Sequence, residues 1–374
     1  MVEWKKLGDI CDIKTGKLNA NAQEEDGKYP FFTCDANPFK INTFAFDTEA
    51  ILVSGNGSQV GHLNYYKGKF NAYQRTYVID RFRNIDVFYP YHYMKGTVRP
   101  YVMKKSKKGS VPYITLPMLT DFLIPVPSLA EQERIVGILD TFTASIDNLK
   151  EQIAQRRKQY DWFLDKLYYS NKEELLKLKE NGKVEVKTLD EIGTFTRGRR
   201  FVRTDIVPEG VPCIHYGDMY TYYGVWADKT PTYLTKEVAD KLRFAQKGDV
   251  VIVAAGENDL DIGVGVAWLG EEDVVVHDAC FIFHHQQNAK FLSYFFRSNN
   301  YHQQIRMGVV DGKICSISAK ELGRTFIPVP PLSEQQHIVS ILDTFEASIA
   351  NLEAQLSERQ KQYEYYRNRL LTFD

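Results

Sequence analysis

The residues with the clearest chemical potential are cations gathered where acids are absent. Residues 87–120 contain no Asp or Glu but carry Lys95, Arg99, Lys104, Lys105, Lys107 and Lys108. Residues 192–204 repeat the pattern with Arg197, Arg199, Arg200 and Arg203. Beside Gly and Tyr, such clusters fit loops that approach a phosphate backbone, where every neutralised phosphate releases counterions. A solvated basic face is the alternative for any one cluster, and two clusters in one chain favour nucleic acid. With Arg75 and Lys313 added, the candidate DNA contacts are Arg75, Arg99, Lys104, Lys105, Lys107, Lys108, Arg197, Arg199, Arg200, Arg203 and Lys313.

Catalytic chemistry has less to work with. There is no G-x-x-x-x-G-K-[ST] and hence no ATP-driven motor. Gly55-Asn56-Gly57 with Gly61 resembles a nucleotide loop, but the spacing is off and no clear βαβ unit surrounds it, so a turn is expected. Asn37-Pro38-Phe39 lacks the second Pro of the N-P-P-[FY] motif of adenine methyltransferases. His277-Asp278 near Cys280 could pair a nucleophile with a base, and His284-His285 could ligate a metal. Neither has helical i, i+4 spacing or a matching cluster, and both are expected to be structural. The five Cys, at 11, 34, 213, 280 and 315, form no C-x-x-C and no disulfide framework, and reduced thiols are expected. The expectation is a chain with no catalytic site, no metal and no cofactor of its own.

The totals set the frame. At 374 residues, with 44% apolar and 25% charged residues, the chain has room for two or three domains. Its net charge of −1 is not that of a basic DNA-binding domain, so local field rather than total charge must hold phosphate. The 23 Tyr and 22 Phe suit cores and wet interfaces alike. Neutral charge and many aromatics also fit a rival reading, a non-DNA scaffold that presents two protein-binding domains. The opening MVEWKKLGDI has no signal-peptide core, and no apolar run approaches a membrane span. A cytoplasmic protein with no membrane partner is expected.

The cations must be positioned by domains, and the chain writes its domain twice. EWKKLGDICDIKTGK at 3–17 returns as EVKTLDEIGTFTRGR at 185–199, with Lys5, Leu7, Ile10 and Gly16 recurring as Lys187, Leu189, Ile192 and Gly198. At an offset of 203, residues 124–167 share 25 identities in 44 columns with residues 327–370. The centres differ: ILVSGNGSQVGH at 51–62 only loosely resembles VIVAAGENDLDIG at 251–263. A period this long is two copies of a domain with an attached element rather than a solenoid, and unlike centres suggest unlike targets.

The repeated ends predict long helices. Ile-Pro-Val-Pro forces an extended lead-in. Ser128 stands three residues before Glu131 in capping-box spacing, echoed two positions later by Ser333 and Gln336. Apolar residues then follow a coiled-coil step: Ile135, Leu139, Phe142, Ile146, Leu149, Ile153, Arg156, Tyr160, Phe163, Leu167, and Ile338, Leu342, Phe345, Ile349, Leu352, Leu356, Arg359, Tyr363, Tyr366, Leu370. A parallel pair would set Arg156 against Arg359, which is unfavourable. An antiparallel pair sets each Arg near an Ile, Ile349 or Ile146, so an antiparallel two-helix coiled coil is predicted, its seam roughly 48 Å long. At about 3.4 Å per base pair that length matches on the order of fourteen base pairs. The stretch 168–184 is expected to continue as helix to Asn181-Gly182. The remaining segments mix β-rich runs with turns and helical stretches such as 290–307, which predicts α+β domains.

A duplicated domain, each copy ending in I-P-V-P-x-L-x-E-Q, then I-V-x-I-L-D and a long helix, resembles the specificity subunits of type I restriction–modification systems, the HsdS family. The residues that carry the likeness are Pro127, Leu129, Glu131, Gln132, Ile135 and Leu139, with Pro330, Leu332, Glu334, Gln335, Ile338 and Leu342, and the openings at 3–10 and 185–192. The resemblance implies two target-recognition domains, at 1–127 and 182–330, each reading half of a bipartite DNA sequence. It implies a spacer helix and linker at 128–181 and a second spacer helix at 331–374, the antiparallel helices holding the domains apart. It also implies two modification subunits and two restriction subunits as partners, with S-adenosylmethionine bound by the modification subunits and none in this chain.

Overall fold

The computed structural model describes residues 2–105, 111–169, 172–180 and 185–373. The chain divides into two compact units, Met1–Glu151 with Glu353–Asp374, and Gln152–Leu352.

In the first unit β1 (Glu3–Lys6) leads through the single-turn α1 (Leu7–Ile10) into β2 (Asp12–Thr15), β3 (Tyr29–Phe32), β4 (Phe39–Ile41), β5 (Phe46–Ser54), β6 (Leu63–Ala72) and β7 (Thr76–Asp80). α2 (Phe88–Lys105), α3 (Leu116–Thr120), β8 (Leu123–Val126) and α4 (Leu129–Leu167) follow. Strands β2 to β7 form one sheet in the order β2-β7-β5-β6-β3-β4. The run AILVS can sit at its centre because both faces are covered. Ile51, Val53 and Ile79 point into one apolar cluster with Met94, Val98 and Val102 of α2. Their neighbours Ala50, Leu52 and Val78 point into another with Phe32 and Phe70, the period-2 alternation of a strand. The basic stretch 87–120, expected as loop, holds the helix α2 over Phe88–Lys105. Its internal Pro100 and its tyrosines argue locally against helix, and burial of Val98 and Val102 overrides them.

In the second unit α5 (Lys172–Glu180), β9 (Val186–Thr188), α6 (Leu189–Ile192), β10 (Gly193–Arg197), β11 (Ile206–Val207), β12 (Val211–Ile214) and α7 (Asp218–Thr221) come first. Next are β13 (Trp226–Ala227), β14 (Thr232–Leu234), α8 (Lys236–Ala239), β15 (Phe244–Ala245), β16 (Val250–Val253), β17 (Ala255–Gly256), β18 (Gly265–Trp268), β19 (Val274–Val276) and β20 (Cys280–His285). The unit ends with α9 (Ala289–Phe295), α10 (Asn299–Ile305), β21 (Cys315–Ser316), α11 (Ala319–Gly323), β22 (Phe326–Pro328) and α12 (Leu332–Leu370). Its sheets run β10-β20-β16-β18-β13 and β11-β14-β12-β19-β15. The ten-residue β6 of the first unit corresponds to β18 and β19 here. The polar Gly270-Glu271-Glu272-Asp273 interrupts the strand, and one sheet becomes two.

The recurring chain ends pair with each other. β1 runs antiparallel to β8 with Trp4 opposite Pro125 and Lys5 opposite Ile124. β9 runs antiparallel to β22 with Lys187 opposite Ile327. Leu7 and Leu189 are fully buried just inside the two clasps. Gly16 and Gly198 recur because a Cβ would lie 1.8 Å from the Ala72 carbonyl oxygen in one copy and 2.4 Å from that of Val276 in the other. The Gln of each E-Q motif is also structural. Gln132 donates to the Pro127 carbonyl (2.9 Å) and accepts from the Asp86 amide (3.2 Å). Gln335 donates to the Pro330 carbonyl (2.8 Å) and accepts from the Asn288 amide (2.9 Å). Ser128 Oγ accepts from the Glu131 amide at 3.4 Å, as its spacing predicts. Ser333 is no cap: α12 already begins at Leu332, and Pro331 stands where Ser128 does.

The helices α4 and α12 are 39 residues each, about 58 Å at 1.5 Å per residue. In the first unit Phe142 stacks on Tyr366 with centroids 5.2 Å apart, and Arg359 lies 5.7 Å over the Phe142 ring. In the second unit Phe163 meets Phe345 at 5.1 Å, and Arg156 lies 5.7 Å over Phe345. The front of α4 thus meets the back of α12, and the back of α4 meets its front, which is antiparallel pairing. Each seam Arg rests on a Phe ring, where a cation–π contact accommodates the charge. The seam begins inside the domain cores: Ile135 and Leu139 belong to the first unit's cluster, Ile338 and Leu342 to the second's. Expected helix beyond 167 is interrupted. Tyr169 has φ 63° and α5 starts at Lys172; Asn181-Gly182 lies outside the described residues.

Replacing Gln132 or Gln335 by Ala leaves a proline carbonyl and a loop amide, buried or part-buried, without their partner. Each substitution is expected to cost about 1–3 kcal/mol, read as a lowered urea midpoint at unchanged m-value, and unaltered midpoints would discount the clamps.

Candidate nucleic-acid interface

The two units hold their loops by the same main-chain bonds. In the first unit Gly16 N–H donates to Thr76, Gly55 N–H to Arg75, Tyr73 N–H to Phe32 and Thr76 N–H to Tyr73. In the second Gly198 N–H donates to Cys280, Ala254 N–H to Ala279, His277 N–H to Ile214 and Cys280 N–H to His277. The turn at 73–75 is therefore the turn at 277–279. The loop after Gly16 is the loop after Gly198, and the Gly55 loop matches the segment after Val253. A fifth segment closes the patch on each side. Ile114 N–H donates to Gly55, and Asn56 bridges to Tyr113. Ile317 N–H donates to Ala254, and Ala255 pairs with Ser316. Five loops converge on one end of each domain, and the loose resemblance of 51–62 to 251–263 is the point at which they cross.

In the second unit this end is basic and aromatic. Arg197 donates to the Asp278 carbonyl (2.8 Å) and lies 5.7 Å over Phe281; Arg199 donates to the Lys241 carbonyl (2.9 Å). Both are thus partly committed to holding the loop. Arg200 and Arg203 are exposed and have no partner among the described residues. Behind them Phe201, His215, Tyr216 and His277 form a nest of rings with centroids 4.6 to 6.0 Å apart. Tyr216, Tyr220 and Tyr222 are each more than a third exposed. Lys313 is exposed on the loop that the Val310–Ser316 bridge closes.

In the first unit Arg75 is exposed on the turn bonded to Gly55. Arg99 is spent: its guanidinium donates to the Ser58 and Val60 carbonyls at 3.1 to 3.3 Å and braces the loop that ends at Gly61. Lys104 and Lys105 are exposed in the last turn of α2, where the helix dipole favours cations; Lys105 also covers Tyr101 at 4.6 Å. Lys107 and Lys108 lie outside the described residues. The bonds bring Arg75 and Arg99 to one Gly-rich loop and tie Arg197 to Asp278 and Arg199 to Lys241, with Arg200 and Arg203 following on the same loop. The exposed tyrosines were not singled out by charge and spacing. Their only sequence signal is the density of Tyr between 216 and 223.

The other candidate chemistry is accounted for structurally. His277 Nε2 faces the Phe201 carbonyl (3.1 Å), and Nδ1 lies 3.1 Å from both the Ala279 amide and the Asp278 carboxylate, so both ring nitrogens are held by groups of the domain itself. Burial also lowers its pKa. Cys280 is fully buried, and desolvation pushes its thiol up to about 12, out of reach of a nucleophile's thiolate. His284 pairs with Asp249 at 2.9 Å, and burial lowers His285 to about 4. Among the described residues no three His, Cys, Asp or Glu gather as a metal site. No described helix is long and apolar enough to cross a membrane.

Comparison with known proteins follows the duplication. The family model for the type I restriction modification DNA specificity domain matches residues 1–156 and again 181–360. The EcoDI type I restriction enzyme specificity subunit of Escherichia coli is 42% identical over 164 residues, which is 42% of this chain and 36% of that relative. A chain of Haemophilus influenzae, named as a type I restriction enzyme specificity subunit, is 25% identical over 100% of this chain and 96% of its own. The crystal structure of the S subunit of a type I restriction–modification system from M. genitalium has the same fold, with TM-score 0.61 and 17% identity over 100% of this chain and 97% of that one. With both halves matched by one family model on a shared frame, the chain belongs to the type I restriction–modification specificity subunits.

Proposed function

We propose that each unit presents its five-loop patch to one half of a two-part DNA target, and that the chain is the recognition subunit, not the catalyst, of a type I restriction–modification complex. The observation that carries this reading is a common backbone with unlike side chains: the same main-chain bonds hold both patches, while the residues they display differ. Two readers of this kind suit two dissimilar half-sites. Local charge supplies the phosphate contact that a net charge of −1 does not. Arg200, Arg203 and Lys313 serve the second unit, Arg75, Lys104 and Lys105 the first, and Arg197, Arg199 and Arg99 support the loops that carry them.

The partners follow from the helices. Leu129 and Leu332, Thr141 and Thr344, and Ala144 and Ala347 are identical in both copies yet exposed. Packing within the chain does not require that identity, whereas docking the same partner twice does. Two modification subunits fit these sites, with S-adenosylmethionine bound in them, and two restriction subunits complete the assembly. The scaffold reading is disfavoured because it gives no role to unpartnered cations on matched loops.

In the complex reconstituted with its modification partner, the double variant Arg200→Ala, Arg203→Ala is expected to lower the slope of log affinity against log salt by about two. Binding that is indifferent to salt in the unaltered complex would favour the scaffold. Removing one heptad from both α4 and α12 is expected to change the number of bases between half-sites and leave each half-site intact. Sequenced methylation sites with unchanged spacing would refute the helices' role as a ruler.

A further inference from the structure

We infer that Arg75 reads a guanine in the half-site taken by the first unit, an inference that rests on the DNA-reading function proposed above. Among the described residues of that unit, every other arginine is engaged. Arg81 and Arg83 meet Asp12, Arg99 the carbonyls of its loop, and Arg134 meets Glu131. The three on α12 meet Phe142, Asn368 and Tyr365. Arg75 alone has an exposed guanidinium with no hydrogen-bond or ion-pair partner, its charge felt by the nearby Tyr77.

Its backbone, by contrast, is tightly held. The Arg75 carbonyl accepts from Gly55 N–H (2.9 Å) and from the Cys34 thiol (3.6 Å). Gln74 N–H donates to Leu18 (2.9 Å), and the Gln74 amide donates to Asn19 (3.1 Å). The turn borders a hollow of about 270 Å³ lined by Gly55, Gln74, Arg75, Tyr77 and Ile114. A free two-pronged donor on a fixed Cα is the arrangement that pairs with guanine O6 and N7 in the major groove.

The second unit separates base from phosphate. There the same turn is held by the same bonds, Ala254 and Ala255 N–H to the Ala279 carbonyl at 2.8 and 3.0 Å. It carries Asp278 and Ala279 where the first unit has Gln74 and Arg75. A phosphate contact carries no sequence information and would serve both copies equally. A base contact must differ wherever the half-sites differ.

The test uses the full chain with its modification partner and reads methylated sites across a genome. The half-site of the first unit is identified by replacing residues 1–127. In Arg75→Ala one guanine of that half-site is expected to lose preference by about ten- to a hundredfold. Its other positions and the second half-site should stay as they were, which also shows that the variant is folded. Uniform weakening with base preference intact and a salt slope reduced by about one marks a phosphate contact and overturns the inference. Unchanged sites, or a half-site without a G·C pair, overturn it as well. If the alanine variant does not assemble, Arg75→Lys keeps the charge without the flat fork. Partial loss at one guanine then supports the base contact, and undiminished discrimination overturns it. An unaltered complex with no sequence-specific methylation would sink the underlying function instead.

Discussion

The structure depends on a closure. Each domain is fastened where it begins and ends, by a short antiparallel pairing of the opening strand with the Ile-Pro strand that precedes the long helix. A Gln buried at the first turn of that helix is bonded to the proline carbonyl and to a loop amide of the domain. This fastening couples helix to domain. It relies mainly on backbone groups and one amide side chain, whose burial is tolerable only because both ends are satisfied. Between the fastened ends most side chains differ, on main-chain bonds that recur in both copies.

That division explains which parts were legible in the sequence. The helices, their antiparallel pairing and the duplication could be read because periodicity and identity are linear signals. Each seam arginine is expected beside an Ile, Ile349 or Ile146, one turn from the Phe whose ring it covers, Phe345 or Phe142. A helical register fixes neighbours only to within a turn. The helix α2 was hidden by Pro100 and by tyrosines whose burial is decided by the sheet they cover. Ser333 imitated a cap that the neighbouring Pro331 displaces.

The candidate site was legible as charge and illegible as geometry. In the second unit the acid-free run of Arg falls on one of the five converging loops, the one after Gly198. In the first the acid-free cluster leads to α2, where Arg99 braces a turn. The matched loops lie far apart in sequence, and the bonds that equate 73–75 with 277–279 are made by the main chain, which leaves no trace in residue identity. Arg75 stood outside both acid-free clusters, and only its surroundings distinguish it from the other arginines.

The two arginine–phenylalanine pairs along the helices have a further consequence. Each pair takes its cation from one helix and its ring from the other, and the two are exchanged by the 203-residue repeat. An insertion that turns either helix by part of a heptad swings its Arg or its Phe away from the partner helix. Lengths of the paired helices that preserve both contacts differ by whole heptads, and evolution along this stalk should proceed in quantised steps rather than by drift.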